Sequence, residues 1–430
     1  MPSRPAQPWP LVALFTVGYL AAYMLPTTVD RLDSGLALSA TAAGSIGTAL
    51  LLSSAAAGFL LASHVHRVGP RRLARAGLLL CAAGYGTAAL SHSIPVVVAG
   101  AVVGGFGSGT ATTVAATGIA AERDPHRVST MGLLGVSALA GAVYLTVPHL
   151  GPGHGQPLGA LALTALLVWP LAGRLTAPGS SGPQQTGGTG RLPHARSGLV
   201  LAVGILLWSL AQNALWGVSG RIGLGQAHLT EVTVGAVFAI ALGAGLLGVM
   251  GASVLGARLG RALPIGGGTA LIAGCIVLSA SASGLGTFAT GEIAWNVLYP
   301  IVLSYLLGLS ASLDRSGRWA VLVGSASSLG TAAGPLAGSL LAAWAGFPTM
   351  GTILAASLLA ITLPLTAVAR HTSGHPILPV AVRRRGATST TVVAAATATP
   401  DPQIVEIPLD TPPTPRAAYD TAGPQHAAER

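Results

Sequence analysis

The segment His66-Arg67-Val68-Gly69-Pro70-Arg71-Arg72 is a short basic loop between two long apolar runs. An abbreviated form, Ala257-Arg258-Leu259-Gly260-Arg261, follows 191 residues later. The same offset relates Leu38-Ser39 to Leu229-Thr230, Gly44 to Gly235 and Arg127 to Arg318. A repeat that keeps one register over about 90 residues indicates two homologous halves with the same connectivity.

The composition predicts an integral membrane protein. The 430 residues are 51% hydrophobic and 8% charged, too few charges to cover a soluble protein of this size. Twelve apolar runs have the length of about 20 residues with which a helix crosses a bilayer. Barrel strands are about ten residues of alternating polarity, whereas these runs are continuous, so we predict an all-α protein. The predicted spans are Pro10 to Val29, Leu38 to Ser63, Leu73 to Leu90, Pro95 to Ala121, Val128 to Pro148, Pro157 to Leu175, Leu199 to Ser219, Val232 to Leu255, Leu263 to Ser283, Phe288 to Leu313, Trp319 to Trp344 and Phe347 to Val368.

The twelve spans divide into two sets of six, in agreement with the repeat. We predict a six-helix bundle at residues 1–176, a cytoplasmic linker rich in Gly, Ser, Pro and Gln at 177–197, and a second six-helix bundle at 198–370. Residues 371–430 are rich in Pro, Thr and Ala and show little apolar periodicity. This composition predicts a disordered cytoplasmic tail.

The arginines predict the orientation in the cell membrane. If the N-terminus is cytoplasmic, 20 of the 22 arginines fall on the cytoplasmic side, and Arg31 and Arg221 are the exceptions. Basic residues in short loops resist translocation, so both termini are predicted to be cytoplasmic. The net charge of +10 is spread over thin loops, which favours anionic lipid over nucleic acid as the partner. Asp30 and Arg221 are equivalent under the repeat and form either an external gate pair or two solvated charges.

With this duplication the chain resembles the major facilitator superfamily of secondary transporters over about residues 10–370. The family carries Gly-x-x-x-Asp-Arg-x-Gly-Arg-Arg between its second and third helices, and Arg67, Gly69 and Arg71 match it. The eleventh span contains Gly330-x-x-x-Gly334-Pro335-x-x-Gly338, similar to the family's Gly- and Pro-rich eleventh helix. The resemblance implies two parallel six-helix repeats with a substrate site between them near the midplane.

The basic loop is a candidate conformational latch. An arginine cluster at helix ends can pair with acids in one conformation and release them in another. His66 and Ala257 replace the acid of the motif, so a plain positive-inside anchor is an equally good interpretation. The latch candidates are His66, Arg67, Gly69, Arg71, Arg258 and Arg261.

Two positions bear on proton coupling. The resemblance implies an Arg ahead of a glycine-rich run in the fourth helix, but this chain has Ala101 there. The glycines that follow are best explained by close helix packing. Glu292 is the one acid within the predicted spans and is the repeat equivalent of Ala101. Because a charged carboxylate at that depth is costly, we expect Glu292 to face a cavity, where it carries a proton or meets a cationic substrate. The structural alternative is a protonated Glu292 hydrogen-bonded to a neighbouring helix.

Polar and aromatic residues in three spans are candidates for a substrate cavity. They lie on the first, seventh and tenth spans, and those of the tenth share one face with Glu292. Together they suit an amphipathic organic solute, whereas the competing interpretation is interhelical hydrogen bonding and interfacial anchoring. The candidates are Tyr19, Tyr23, Gln212, Asn213, Trp216, Trp295, Asn296 and Tyr299.

These observations predict a monomeric secondary transporter that moves a small organic molecule, with protons as the coupling ion. Efflux of a drug-like compound or secondary metabolite is the preferred direction, and uptake of a nutrient is the alternative. A transport-inactive sensor or scaffold acting through the tail is an alternative from another class. The spans show no pattern of catalytic or metal-binding residues, so we predict no enzyme activity, metal or cofactor.

Overall fold

A computed structural model describes residues 8–175, 192–255, 259–314 and 317–373. Most of the predicted linker, nearly all of the predicted tail and Arg258 lie outside the described residues.

The described residues form helices throughout. Helix α1 consists of Trp9–Tyr23 and Leu25–Leu36, bent by 49° around Met24. The next nine are α2 Ala40–Leu61, α3 Pro70–Leu90, α4 Ile94–Ala120, α5 Pro125–Thr146, α6 Gly155–Val168, α7 Ala195–Arg221, α8 Glu231–Leu255, α9 Ala262–Ala280 and α10 Leu285–Leu313. The last stretch, Arg318–Ser373, comprises α11 (318–345) and α12 (347–373), which meet at Gly346.

The prediction of twelve spans is confirmed. Within the described ranges, ten helices are long and apolar enough to cross a bilayer, and the bent pair that forms α1 makes one further crossing. The longest of the ten has 54 qualifying residues and would be about 80 Å long if straight, far beyond a bilayer. Gly346 breaks it with a φ of 77° and a ψ of 165°, so this stretch crosses twice.

The 191-residue repeat reappears in the backbone. Ala37 and His228 are related by that offset, and their φ angles are 50° and 53°. Gly69 and Gly260 are related in the same way, with φ angles of 93° and 64°. Left-handed residues are uncommon, especially where the residue is not glycine. Their recurrence at equivalent positions confirms that the two halves share one connectivity.

The helix starts repeat as well. Ser39 caps the start of α2 by accepting a hydrogen bond from the Ala42 amide at 3.2 Å. Thr230, its equivalent, accepts one from the Thr233 amide at 3.3 Å before α8. Such caps satisfy amides that have no partner in the first turn, so the hydroxyl fixes where each helix begins.

The halves meet through equivalent pairs of helices. Helix α2 packs on α11, α5 packs on α8, and the second segment of α1 packs on α7. The offset exchanges α2 with α8 and α5 with α11, so the first two interfaces are copies of each other. This arrangement is the one expected for parallel repeats about an axis along the membrane normal.

The glycine-rich stretches of α4 and α11 are packing surfaces, as predicted. On α11, Cβ atoms added to Gly330, Gly334 and Gly338 would overlap Leu206, Asn213 and Ala214 of α7. On α4, Cβ atoms on Gly105 and Gly109 would overlap backbone oxygens of Leu50 and Ser54 of α2. Small residues therefore let these backbones touch, and this contact fixes the rotation of each helix about its own axis.

Gly330→Leu should destabilise the protein, because its side chain would meet the Leu206 carbonyl oxygen of α7. Overpacking of this kind costs about 1–3 kcal/mol or more. Gly324→Leu is the matched control, because Gly324 lies on the same helix with nothing within 4 Å of its added Cβ. Thermal unfolding in detergent should show a lower melting temperature for Gly330→Leu alone. Equal melting temperatures of the two variants would contradict this packing.

Candidate functional site

The two halves touch most closely at what we call the outer face, formed by the ends of α1 and α7 and the starts of α2 and α8. An added Cβ on Gly44 of α2 would overlap Ser339 of α11 and lie 2.8 Å from the Pro335 carbonyl oxygen. One on Gly235 of α8 would overlap the Tyr144 carbonyl oxygen of α5. Gly44 and Gly235 are repeat equivalents, and so are Tyr144 and Pro335. The same backbone contact is therefore made twice.

Two ion pairs cross between the halves at the outer face. Arg31 is 2% exposed and binds the Glu231 carboxylate at 2.6 Å and the Gly151 carbonyl oxygen at 2.5 Å. Arg221 lies 3.8 Å from the Asp33 carboxylate. From the sequence, Asp30 is a candidate partner of Arg221, but Arg221 pairs with Asp33. Arg31 and Arg221 thus each pair with an acid of the other half at this face.

A cavity of about 80 Å³ lies between the halves, on the side of these contacts away from the outer face. Helices α1, α2 and α4 line it from the first half, and α11 lines it from the second. Its polar lining residues are Tyr19, Ser54, Thr112, Thr113, Ser327, Ser328 and Thr331. The other lining residues are glycine, alanine and leucine. A cavity built by both repeats is where the fold would place a substrate.

Of the predicted cavity residues, Tyr19 lines this cavity, and its hydroxyl group is buried without a hydrogen-bond partner. Tyr23 lies four residues further along α1, and its carbonyl oxygen accepts a hydrogen bond from the Tyr144 hydroxyl at 2.6 Å. The Trp216 indole of α7 donates to the Ala22 carbonyl oxygen of α1 at 3.1 Å, which is an interhelical hydrogen bond.

Four other candidates form a packed cluster of α7 and α10 instead of lining the cavity, namely Gln212, Trp216, Trp295 and Tyr299. The Trp295 indole donates to the Gln212 side-chain oxygen, and the Trp216 and Trp295 rings lie 5.5 Å apart. The Tyr299 ring lies 5.8 Å from that of Trp295. Asn213 donates to Thr331 at 3.2 Å, and Asn296 donates to the Glu292 carbonyl oxygen at 3.0 Å. The sequence predicts that these side chains lie near one another, and in the structure most of them contact one another rather than the cavity.

Glu292 is fully buried within the second half. One carboxylate oxygen accepts hydrogen bonds from Ser219 of α7 at 2.8 Å and from Ser279 of α9 at 2.6 Å. The other oxygen has no hydrogen-bond partner, and no ion pair of the described residues includes this acid. Glu292 is absent from the lining of the cavity between the halves, although we expected it to face one.

The predicted latch residues lie at the opposite face and form no ion pair within the described ranges. Arg67 is exposed, and Gly69 forms the left-handed turn before α3. Arg71 donates to the Leu175 carbonyl oxygen, and Arg261 donates to Ser312 at 2.6 Å. Arg258 and the side chain of His66 lie outside the description. These contacts stay within one half, so they do not join the two halves in this conformation.

The sequence matches the family model described as Major Facilitator Superfamily over residues 11–313. The chain belongs to the major facilitator superfamily. The matched residues include the basic loop and confirm the resemblance to this family, and membership makes the protein a membrane transporter rather than an enzyme. Helix α11 lies beyond the matched residues. A search of the curated proteins gives no match.

Solved transporter structures share the fold. The nucleoside transporter NupG is 11% identical, with a TM-score of 0.67 over 84% of this chain and 98% of its own. The D-xylose-proton symporter is 16% identical, with a TM-score of 0.66 over 85% and 98%. The human organic anion transporter MFSD10 is 16% identical, with a TM-score of 0.60 over 85% and 100%. Similarity at this level of identity establishes the fold and leaves the substrate open.

Sequence reasoning missed most of the cavity lining and the outer ion pairs. The lining hydroxyls look like ordinary serines and threonines of apolar helices, so their position became visible only in the packed structure. Arg31 carried a usable signal, because it broke the arginine distribution, but its partner Glu231 is 200 residues away along the chain.

Gly235→Leu should prevent closure of the outer face, because the side chain would occupy the space of the Tyr144 carbonyl oxygen. Spin labels on cysteines at exposed Ser93 and Ser283, with both native cysteines replaced by alanine, would report the separation of the halves. The distance distribution should shift to longer values. Gly243→Leu on the same helix has open space and should leave it unchanged. An unshifted distribution in Gly235→Leu would refute the contact.

Glu231→Gln should also favour opening of the outer face, because Arg31 is buried and would lose its charged partner. A hydrogen bond to a charged group contributes roughly 1.5–3 kcal/mol, so the open population should rise at least severalfold. Asp33→Asn should act more weakly, because its pair with Arg221 is longer at 3.8 Å. The same two spin labels measure both effects. A larger shift for Asp33→Asn than for Glu231→Gln would show that the Arg221–Asp33 pair contributes more to closure than the Arg31–Glu231 pair.

Proposed function

We propose that this protein moves a small organic molecule across the cell membrane by alternating access of its two halves, coupled to protons and in the direction of efflux. The observation that carries the proposal is the cavity lined by α1, α2, α4 and α11, because both halves contribute to it. A solute bound there would be exposed to one side or the other as the halves rock.

The contacts between the halves support one step of this cycle. Gly44, Gly235 and the two ion pairs close the outer face, whereas the hydrogen bonds of Arg71 and Arg261 at the opposite face each stay within one half. With the orientation that the arginines predict, the outer face is extracellular and the conformation is inward-facing. Transport then requires the outer contacts to open and the basic loops to close.

We propose Glu292 as the proton-carrying group. A carboxyl group that is fully buried without a cation costs several kcal/mol to ionise. Its hydrogen bond from Ser219 joins α10 to the end of α7, two residues before Arg221, which pairs with the other half. Opening of the outer face would move this end of α7 and admit water, so the acid could take up a proton from that side. Proton binding would favour the closed face.

Efflux of a drug-like compound or secondary metabolite is the direction and substrate class that we infer from the family resemblance. A compound panel tested on an exporter-deficient strain that expresses the full chain should reveal compounds to which the strain becomes resistant. Everted vesicles should accumulate such a compound when their interior is acidified. Accumulation in right-side-out vesicles under an inward proton gradient would indicate uptake.

Glu292→Gln should abolish gradient-driven accumulation in everted vesicles and retain exchange at equal pH, because glutamine keeps the hydrogen-bonded shape and cannot carry the proton. Glu122→Gln, in the connection between α4 and α5, is the control and should behave like the original protein. Unchanged accumulation by Glu292→Gln would remove this residue from the coupling mechanism.

A further inference from the structure

The cavity lined by α1, α2, α4 and α11 carries no charge. Among its lining residues there is no acid, arginine or histidine, and residues with hydroxyl groups accompany glycine, alanine and leucine. Transfer of a net charge from water into such a site without a counter-charge costs several kcal/mol. The lining therefore disfavours organic anions and cations as solutes.

Three of the six serine and threonine hydroxyl groups of the lining are left as hydrogen-bond acceptors. Each serine or threonine hydroxyl has one proton to donate and two lone pairs to accept with. The Thr112 and Thr113 hydroxyls donate that proton to carbonyl oxygens of their own helix at 2.9 and 2.7 Å. Ser328 does the same at 3.1 Å. Their lone pairs remain for a solute that brings its own donors.

Tyr19 supplies the complementary group. Its side chain is 5% exposed and lines the same cavity, and its hydroxyl is buried without a hydrogen-bond partner. A buried hydroxyl without a partner costs free energy, roughly 1–3 kcal/mol in proteins. A solute hydroxyl would satisfy it, because a hydroxyl both donates and accepts.

From this pattern we propose that the cavity binds an uncharged solute that carries several hydroxyl groups, of the chemical class of neutral glycosides. The inference rests on the proposed transport function and names its substrate class. The hydroxyl groups of the sugar would donate to Thr112, Thr113 and Ser328 and pair with Tyr19. The small apolar side chains of the lining would contact the less polar part of the solute.

Matched glycosides test the proposal in proteoliposomes of the purified full chain. The probes are 4-methylumbelliferyl glucoside and 4-methylumbelliferyl glucuronide, which differ in a hydroxymethyl group against a carboxylate. We expect the glucoside to be exchanged at least tenfold faster than the glucuronide. Tyr19→Phe and Thr112→Val should each slow glucoside exchange about three- to tenfold, the usual effect of one hydrogen bond.

Thr110→Val is the control variant. Thr110 lies on the same helix and bonds the Phe106 carbonyl oxygen in the same manner at 2.8 Å, but it packs against Gly77 of α3 instead of the cavity. Thr110→Val should leave glucoside exchange unchanged. If Thr110→Val slows exchange as much as Tyr19→Phe and Thr112→Val do, the loss comes from impaired folding, and the assigned contacts are overturned.

The outcomes separate this inference from the proposed function. Equal or faster exchange of the glucuronide would overturn the uncharged class and leave transport intact. Exchange of neither glycoside, together with transport of another compound of the resistance panel, would overturn the hydroxylated class alone. Exchange of no compound at all would overturn the proposed function as well.

Discussion

The close approach of two backbones at Gly44 and Gly235 is the constraint on which the closed outer face depends. Each glycine meets the opposite half where a Cβ would overlap it, and the two contacts are copies related by the repeat. Because both depend on the absence of one carbon atom, the halves can approach closely enough for Arg31 to reach Glu231. The ion pairs are therefore secondary to the packing that brings them together.

The polar groups between the two halves form two sets, the charged groups of the outer face and the hydroxyl groups of the cavity. Charged groups lie at the outer face, where they can pair and separate as the face closes and opens. Neutral hydroxyl groups line the cavity between the halves. Glu292 is buried apart from the cavity lining, bonded to Ser219 of the helix that carries Arg221. The ion pairs and the hydroxyl groups of the lining are thus separate sets of groups, and both halves contribute to each set.

The aromatic candidates show what the spacing of residues along one helix can predict and what it cannot. Trp295 and Tyr299 do share a face of α10, as their spacing predicts, and that face meets α7 at Gln212 and Trp216. Spacing fixes which residues of one helix lie together, but it does not fix whether that face meets a cavity or another helix. Here the rings pack on one another, and the cavity lies beside Tyr19 and the hydroxyl groups of α4 and α11.

The sequence alone determined the twelve spans, the family and the register of the repeat, because bilayer thickness dictates the length of each apolar run and duplication preserves equivalent residues. Tertiary structure alone decided that Arg221 pairs with Asp33, that Arg31 pairs with Glu231, and that Thr112 faces the cavity. Those features depend on how each helix is rotated about its axis. That rotation is set by glycine contacts between helices distant in sequence, which no local pattern records.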